Sequence, residues 1–278
     1  MIFQSIPEDL AIILVILLGF VGAFLDSSLG MGYGLLGPIL IILGFDYRIV
    51  VPILLISQMT TGISGVLFHM FYKNVDLTSR DTQDTKSSLL FIITGMIGMF
   101  FAVFIVASLP EEFVMLYISI MIICAGILML PELKFHFSWK RMYALSILAS
   151  FNKAISGGGY GPVMTIGQIT SGRDAKESVA VTDLSEAFLS GLGFLLYVLY
   201  GAFDSNFLYL QESFPLIIKL GLIMIISGII ATPLGALITK KLEKNTAKKV
   251  IGSLSITIGI TMIIRIILDF LSIWQIQV

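Results

Sequence analysis

The sequence predicts an all-α polytopic membrane protein of two inverted-topology repeats, each a broken or re-entrant helical hairpin followed by three transmembrane helices. Three observations lead to this fold class. Of the 278 residues, 57% are hydrophobic and 13% charged, and the mean hydropathy is +0.99, as is typical of membrane proteins. A glycine-rich polar stretch occurs twice in register. Lysine and arginine are concentrated in a few segments between apolar runs.

The repeated stretch interrupts an apolar region in each half of the chain. Its first copy runs from Asp26 to Pro38 and its second from Lys153 to Thr165. At an offset of 127 residues (157 − 30), the following residues coincide: Gly30, Gly32, Tyr33 and Gly34 with Gly157, Gly159, Tyr160 and Gly161. The sequence therefore predicts repeat one at 1–130, a cytoplasmic linker at 131–141 and repeat two at 142–278.

Apolar runs divide the chain further, and a bilayer crossing needs about 20 residues. Six runs are long enough to span: 49–72, 88–109, 113–130, 177–200, 215–239 and 248–272. The other four form two pairs, 10–25 with 35–45 and 142–151 with 160–170, and one glycine-rich copy divides each pair. We predict that the members of these pairs are half-helices.

The positions of Lys and Arg indicate how the pairs lie in the membrane. If each pair crosses once, the basic loops fall on both sides. If each pair returns to the side from which it entered, basic residues gather on one face: Lys73, Arg80, Lys86, Lys134, Lys140, Arg141, Arg173, Lys176 and the cluster from Lys240 to Lys249. The second arrangement predicts a multi-pass protein of the cell membrane with both termini outside the cytoplasm. Re-entrant loops and pairs of short crossings both satisfy it.

Inverted repeats with interrupted helices are typical of secondary transporters that bind substrate near the membrane midplane. Helices restarting near Gly34 and Gly161 would direct free N–H groups and positive dipole ends into a polar cavity between the two stretches, and such helix starts bind anions. The candidate substrate-binding residues are Ser27, Ser28, Gly30, Gly32, Tyr33, Gly34, Asn152, Lys153, Ser156, Gly157, Gly158, Gly159 and Tyr160.

Charged residues extend this prediction. Lys153 is the one full positive charge within the two stretches, and Asp26 is its counterpart in the first repeat, so the two could pair. Asp183 and Glu186 lie inside an apolar run, where carboxylates are costly and usually functional. They are expected to exchange protons or to pair with Lys153, and the alternative is a solvated first helical turn. Packing roles for the glycines and tyrosines are also open.

Composition argues against several other function classes. A net charge of −1 provides no basic surface for nucleic acid. One cysteine, Cys124, and two histidines do not form a zinc motif, so no metal and no cofactor are expected, and Cys124 is predicted to be a small core residue. A membrane-embedded enzyme would need a nucleophile and base facing one cavity. An anion-selective channel is the stronger alternative to a carrier. A homodimer is compatible with this architecture.

The run Gly30-Met-Gly-Tyr-Gly-Leu-Leu-Gly-Pro38 resembles the signature of the TauE/SafE sulfite exporter family, a glycine-rich run leading to L-x-P at the head of each half. Tyr33 and Tyr160 stand where that family usually has glycine, and Thr165 stands in place of the second proline. The resemblance implies transport of sulfite, organosulfonates or similar small anions, driven by an ion gradient. The partners are then the anionic substrate and the lipid bilayer.

Overall fold

The computed structural model describes residues 8–107, 109–131, 136–203, 208–239 and 244–271. These residues form ten α-helices and no strand: α1 (Glu8–Leu29), α2 (Gly32–Ile42), α3 (Tyr47–Phe71), α4 (Gln83–Ala107), α5 (Glu111–Met129), α6 (Trp139–Ser156), α7 (Tyr160–Thr170), α8 (Ala175–Phe203), α9 (Leu208–Ile238) and α10 (Lys244–Phe270). By length and composition, six described helices are able to cross a membrane: α1, α3, α4, α5, α8 and α9. The chain is a multi-pass, all-helical membrane protein. Both predicted extracytoplasmic termini lie outside the described residues.

Two interruptions precede the short helices α2 and α7. We call residues 30–31 the first break and residues 157–159 the second break. Gly30 has a φ of 69° and Gly157 a φ of 77°, in the left-handed region that favours glycine. Each of these glycines donates its N–H to the carbonyl four residues earlier, at 2.5 and 2.7 Å respectively. The matched glycines therefore end the preceding helix in the same way in both halves.

The sequence prediction made the interruptions too long. Asp26 to Ser28 belong to α1, and Asn152 to Ser156 belong to α6. The prediction of half-helices is wrong for α1, whose 22 residues extend about 33 Å, and α6 has 18 residues. Only α2 and α7, with 11 residues or about 16 Å each, have the predicted length. The reason is that short polar side chains remain inside a helix when they bond a carbonyl of the preceding turn, as Ser156 does at 2.8 Å.

In both halves a glycine ends the short helix and an aspartate begins the long helix that follows it. Gly44 and Gly172 follow α2 and α7 with φ values of 102° and 91°. The residue after each glycine donates its N–H to a carbonyl five residues earlier, as in a Schellman motif. The carboxylates of Asp46 and Asp174 then accept backbone N–H groups at 2.8 and 3.1 Å, where α3 and α8 begin.

Helix packing follows the same correspondence when α1 to α5 are matched with α6 to α10. Helix α1 packs against α9, just as α6 packs against α4. Helix α3 packs against α9 as α8 packs against α4, and α2 packs against α10 as α7 packs against α5. The matched helices α3 and α8 also contact each other. They run antiparallel, since Gly62 lies against Ala187 and Gly193 against Leu55. Helices α3 and α8 form the centre of the protein, and the two breaks lie beside them.

Large apolar side chains cover much of the outer surface, including Phe71 and Ile226, as is expected where a helix faces lipid. Cys124 is also exposed, so its prediction as a core residue is wrong. In a membrane helix the outward face is as apolar as the inward face, and composition alone therefore does not identify the buried side.

Candidate functional site

The two breaks lie side by side, and each contacts the short helix that follows the other break. Thr165 Oγ1, on α7, donates a hydrogen bond to Gly30 O at 3.2 Å. A Cβ atom at Gly158 would lie 2.1 Å from Tyr33 O, and one at Gly34 would lie 3.0 Å from Gly158 O. Because real Cβ atoms do not approach backbone atoms within 3.0 Å, the backbones reach this distance only with glycine at position 158.

A row of four buried polar side chains extends from the first half of the chain to the second, beside the breaks. Asp26 Oδ2 accepts a hydrogen bond from Gln58 Nε2 at 2.7 Å. Lys153 Nζ donates to Gln58 Oε1 and, at 3.0 Å, to Glu186 Oε1. We call these four residues the buried tetrad. Glu186 is 1% exposed, so it does not lie in a solvated first turn.

Gln58 was not among the residues predicted for the site. Its side-chain amide lies between Asp26 and Lys153 and bonds to both, so these two residues do not form the direct pair considered above. A signal for Gln58 was present in the sequence, because Gln58 and Glu186 are 128 residues apart (186 − 58), the same offset that aligns Ser57 with Ser185. Since Gln58 is uncharged, it does not stand out in an apolar run as Lys153 and Glu186 do.

The N-terminus of α2 is occupied by a carboxylate of the protein itself. Asp26 Oδ1 accepts a hydrogen bond from the N–H of Gly32 at 2.9 Å. A carboxylate in this position is stabilised by the free N–H groups and by the positive end of the helix dipole. The anion-binding start predicted for this helix therefore already holds Asp26.

The N-terminus of α7 differs because a lysine replaces the aspartate. Ser156 Oγ accepts two N–H groups of the second break, at 3.3 and 3.0 Å. Glu186 Oε2 lies close to the first turn, since a Cβ atom at Gly161 would be 3.3 Å from it. This oxygen is buried without a hydrogen-bond partner among the described residues. A helix start, a lysine and an unsatisfied carboxyl oxygen thus lie together beside the second break.

Asp183 lies apart from the tetrad, beside a buried histidine. Its Oδ2 is 3.6 Å from His69 Nε2, and its Oδ1 is buried without a partner in the described part of the chain. His69 Nδ1 accepts from Asn74 Nδ2 at 2.9 Å, and its Nε2 lies 2.9 Å from Ser27 O. Because Asn74 Nδ2 only donates, His69 carries its proton on Nε2 and is neutral in this arrangement.

Both tyrosines of the repeated stretch are fully buried, and their hydroxyl groups have partners. Tyr33 Oη lies 2.7 Å from Ser57 Oγ and 3.0 Å from Thr61 Oγ1. Tyr160 Oη donates to Ser185 Oγ at 2.9 Å. Each tyrosine joins a short helix to the long helix that follows it, as expected of packing residues with satisfied hydroxyls.

The hydroxyl and amide groups of the remaining polar candidates are also hydrogen-bonded, to a neighbouring helix for Ser27 and Asn152 and within α1 for Ser28. Ser27 Oγ donates to a backbone carbonyl of α9 at 3.1 Å, and Ser28 Oγ donates to a carbonyl within α1 at 3.4 Å. Asn152 Oδ1 accepts a hydrogen bond from the hydroxyl of Tyr117 on α5. All three residues are buried next to the breaks.

The charges at the site limit its chemistry. Asp26, Asp183 and Glu186 are three acidic groups, whereas Lys153 is the one basic side chain in the tetrad. A buried charge without a counter-charge costs several kcal/mol, so an added anion requires that carboxyl groups take up protons. No group of three or more His, Cys, Asp or Glu in the described ranges could hold a metal ion.

A multi-pass helical protein with buried charged groups where two helix interruptions meet has the architecture of a membrane transporter. Comparison with known proteins agrees with this class. The chain belongs to the sulfite exporter TauE/SafE family, whose family model matches residues 15–262.

One relative is the Probable membrane transporter protein YtnM of Bacillus subtilis (strain 168), 27% identical over 266 residues that cover 89% of this chain and 81% of the relative. No solved structure matches the chain. The names of the family and of this relative describe transporters rather than enzymes. Neither the comparisons nor the single chain supports the homodimer.

Proposed function

We propose that the protein is a proton-coupled secondary transporter that moves a small anion, sulfite or an organosulfonate, across the cell membrane by alternating access. One observation carries the proposal: Lys153 is 0% exposed and lies beside the contact of the two breaks, 3.0 Å from Glu186. A buried ammonium group requires a negative partner. An oxyanion is able to replace the Glu186 carboxylate in that role, because both accept charge-assisted hydrogen bonds.

Alternating access requires two halves that move against each other, and we propose inverted repeats at 1–130 and 142–278, joined by the cytoplasmic linker 131–141. The matched helix packing and the antiparallel contact of α3 with α8 support this division. The matched left-handed glycines at the two breaks also support it. In this arrangement both termini lie outside the cytoplasm.

In the proposed coupling mechanism, the Glu186 carboxylate and the transported anion compete for Lys153. In the resting protein, the Glu186 carboxylate neutralises Lys153. When Glu186 takes up a proton, Lys153 loses the carboxylate that accepts its hydrogen bond, and an anion entering beside the second break takes over that contact. One proton and one negative charge therefore enter the site together. After one repeat rocks against the other, the anion leaves, Glu186 releases its proton and the ion pair forms again.

We assign Asp183 a second role in proton transfer. Its unsatisfied Oδ1 and the contact between its Oδ2 and His69 support this assignment. His69 is connected through Asn74 to the loop after α3. Protons entering from that loop would reach Asp183 before Glu186, which lies three positions further along the same helix.

Transport assays in proteoliposomes test the proposal. Uptake of sulfite should saturate with concentration and increase with an imposed pH gradient. Lys153→Ala should abolish uptake, and Ser27→Ala/Ser28→Ala tests the predicted contribution of the two hydroxyls. Lys219→Gln, which changes an exposed lysine on α9, is the matched control and should retain uptake. Unchanged flux in Lys153→Ala and in the serine variant would exclude this location for the site.

Glu186→Gln tests the coupling step separately. Glutamine imitates the protonated carboxyl, so this variant should exchange external for internal anion but should no longer respond to the pH gradient. Flux that neither saturates nor depends on the gradient would indicate a channel. The substrate is identified by thermal stabilisation of the purified protein with a panel of sulfur oxyanions, sulfonates and carboxylates. A ligand at 100 times its Kd adds about 2.7 kcal/mol to the stability of the folded state.

A further inference from the structure

An apolar groove lies on the surface of the helical pair α6 and α7. A cavity of about 210 Å³ is bounded by α5, α6 and α7. Its walls are formed by Ala125, Leu128, Arg141, Leu145, Leu148, Pro162, Val163, Ile166, Gly167 and Thr170. We call this cavity the α7 groove. Its lining is aliphatic except for Arg141 and Thr170.

The two polar residues lie at the same end of the groove. Helices α6 and α7 are joined by the second break and fold back on each other, so the start of α6 lies beside the end of α7. Arg141 is in the first turn of α6, and Thr170 is the last residue of α7. Pro162, in the first turn of α7, marks the opposite end. The groove thus extends about 12 Å along α7, from a polar end to an apolar end next to the second break.

The groove is open on the outer surface of the protein. Leu128 and Leu148 in its walls are 52% and 50% exposed, respectively, as expected where a transmembrane helix faces hydrocarbon. Trp139, 38% exposed, and the exposed Lys140 precede Arg141 at the polar end. Tryptophan is enriched at the level of lipid headgroups, and basic residues attract anionic lipids there.

We propose that the α7 groove binds an anionic phospholipid, with one acyl chain along α7 and the headgroup phosphate on Arg141. The order of the lining residues fits this occupant, because an amphiphile has one charged end and one long apolar end. A guanidinium group is suited to phosphate, to which it donates parallel hydrogen bonds. Since α7 forms part of the contact between the breaks, the bound lipid would also support the position of α7.

Fluorescence quenching by brominated lipids tests the proposal on the whole protein. The chain has two tryptophans, and Trp274→Phe leaves Trp139 as the single reporter. At equal mole fraction, dibrominated phosphatidylglycerol should quench Trp139 more strongly than dibrominated phosphatidylcholine. Arg141→Gln should remove this difference, and Arg141→Lys should retain part of it. Lys140→Gln, which removes the same charge from the neighbouring position, should reduce the difference much less than Arg141→Gln does.

A variant that fills the groove provides an independent measurement. Gly167→Leu adds a side chain towards Leu145, a flexible wall residue whose Cδ1 would lie 2.7 Å from the new Cβ. This variant should reduce quenching by both lipids while Arg141 is intact. Equal quenching by the two headgroups in the Trp274→Phe protein would overturn the proposal. So would equal losses in Lys140→Gln and Arg141→Gln, because these would indicate general attraction to the basic surface.

Discussion

Removal of Lys153 should reduce stability strongly, whereas removal of Lys153 together with Glu186 should restore most of it. For unit charges 3.0 Å apart, Coulomb's law at an effective dielectric constant of about 20 gives an attraction of about 5.5 kcal/mol. Removing one partner of a buried pair typically costs about 3–5 kcal/mol, because the other charge stays buried without compensation. Lys153→Met and Glu186→Gln should each show a loss of this size.

The double variant distinguishes a pair from two independent residues. If the residues acted independently, the losses would add to about 6–10 kcal/mol, twice the single value. If they act as a pair, Lys153→Met/Glu186→Gln should be no less stable than either single variant, because neither member of the pair is left without its partner. Thermal unfolding of the purified protein measures this directly. At about 2–4 °C per kcal/mol for chains of similar length, each single loss corresponds to roughly 10 °C. Additive losses in the double variant would refute the pairing.

Two further changes test other parts of the structure. Gly158→Ala should lower stability by about 1–3 kcal/mol and reduce flux, because the added Cβ would meet Tyr33 O at 2.1 Å. Gly167→Ala is its control on the same hairpin and should have a smaller effect in the same thermal and flux assays; equal effects would contradict the steric argument. Arg173→Gln breaks a buried ion pair with Asp84 and should cost about 3–5 kcal/mol. Asp84→Asn in the same chain should recover part of this loss, and simple additivity of the two changes would count against the pair.

Most of the helical architecture could be predicted from the sequence because the relevant signals are local. The repeated glycines marked both interruptions, and Gly30 and Gly157 do adopt positive φ. The extent of the interruptions was not predictable, because serine and asparagine near a helix end are compatible with a break and with a final helical turn. As a consequence, Ser27 and Asn152 were placed in loops although they lie in helices.

The candidate site was predictable only in part. Lys153 and Glu186 stood out because a charge inside an apolar run is unusual. Gln58 carries no charge, and its bridging position depends on how α3 packs against α6, which sequence spacing does not report. The contact of the Ser27 side chain with α9 was likewise not predictable, because α1 has apolar residues on all sides and shows no preferred face.

The position of Asp26 at the start of α2 has a consequence for the number of anions that one chain binds. Two matched halves with identical chemistry would offer two equivalent helix starts to the substrate. Asp26 already accepts the Gly32 N–H at 2.9 Å, so the first half places a carboxyl group of the protein where the second half has Lys153. Equilibrium binding should therefore saturate at one anion per chain, and Asp26→Asn is the change that would make a second, weaker binding event measurable by calorimetry.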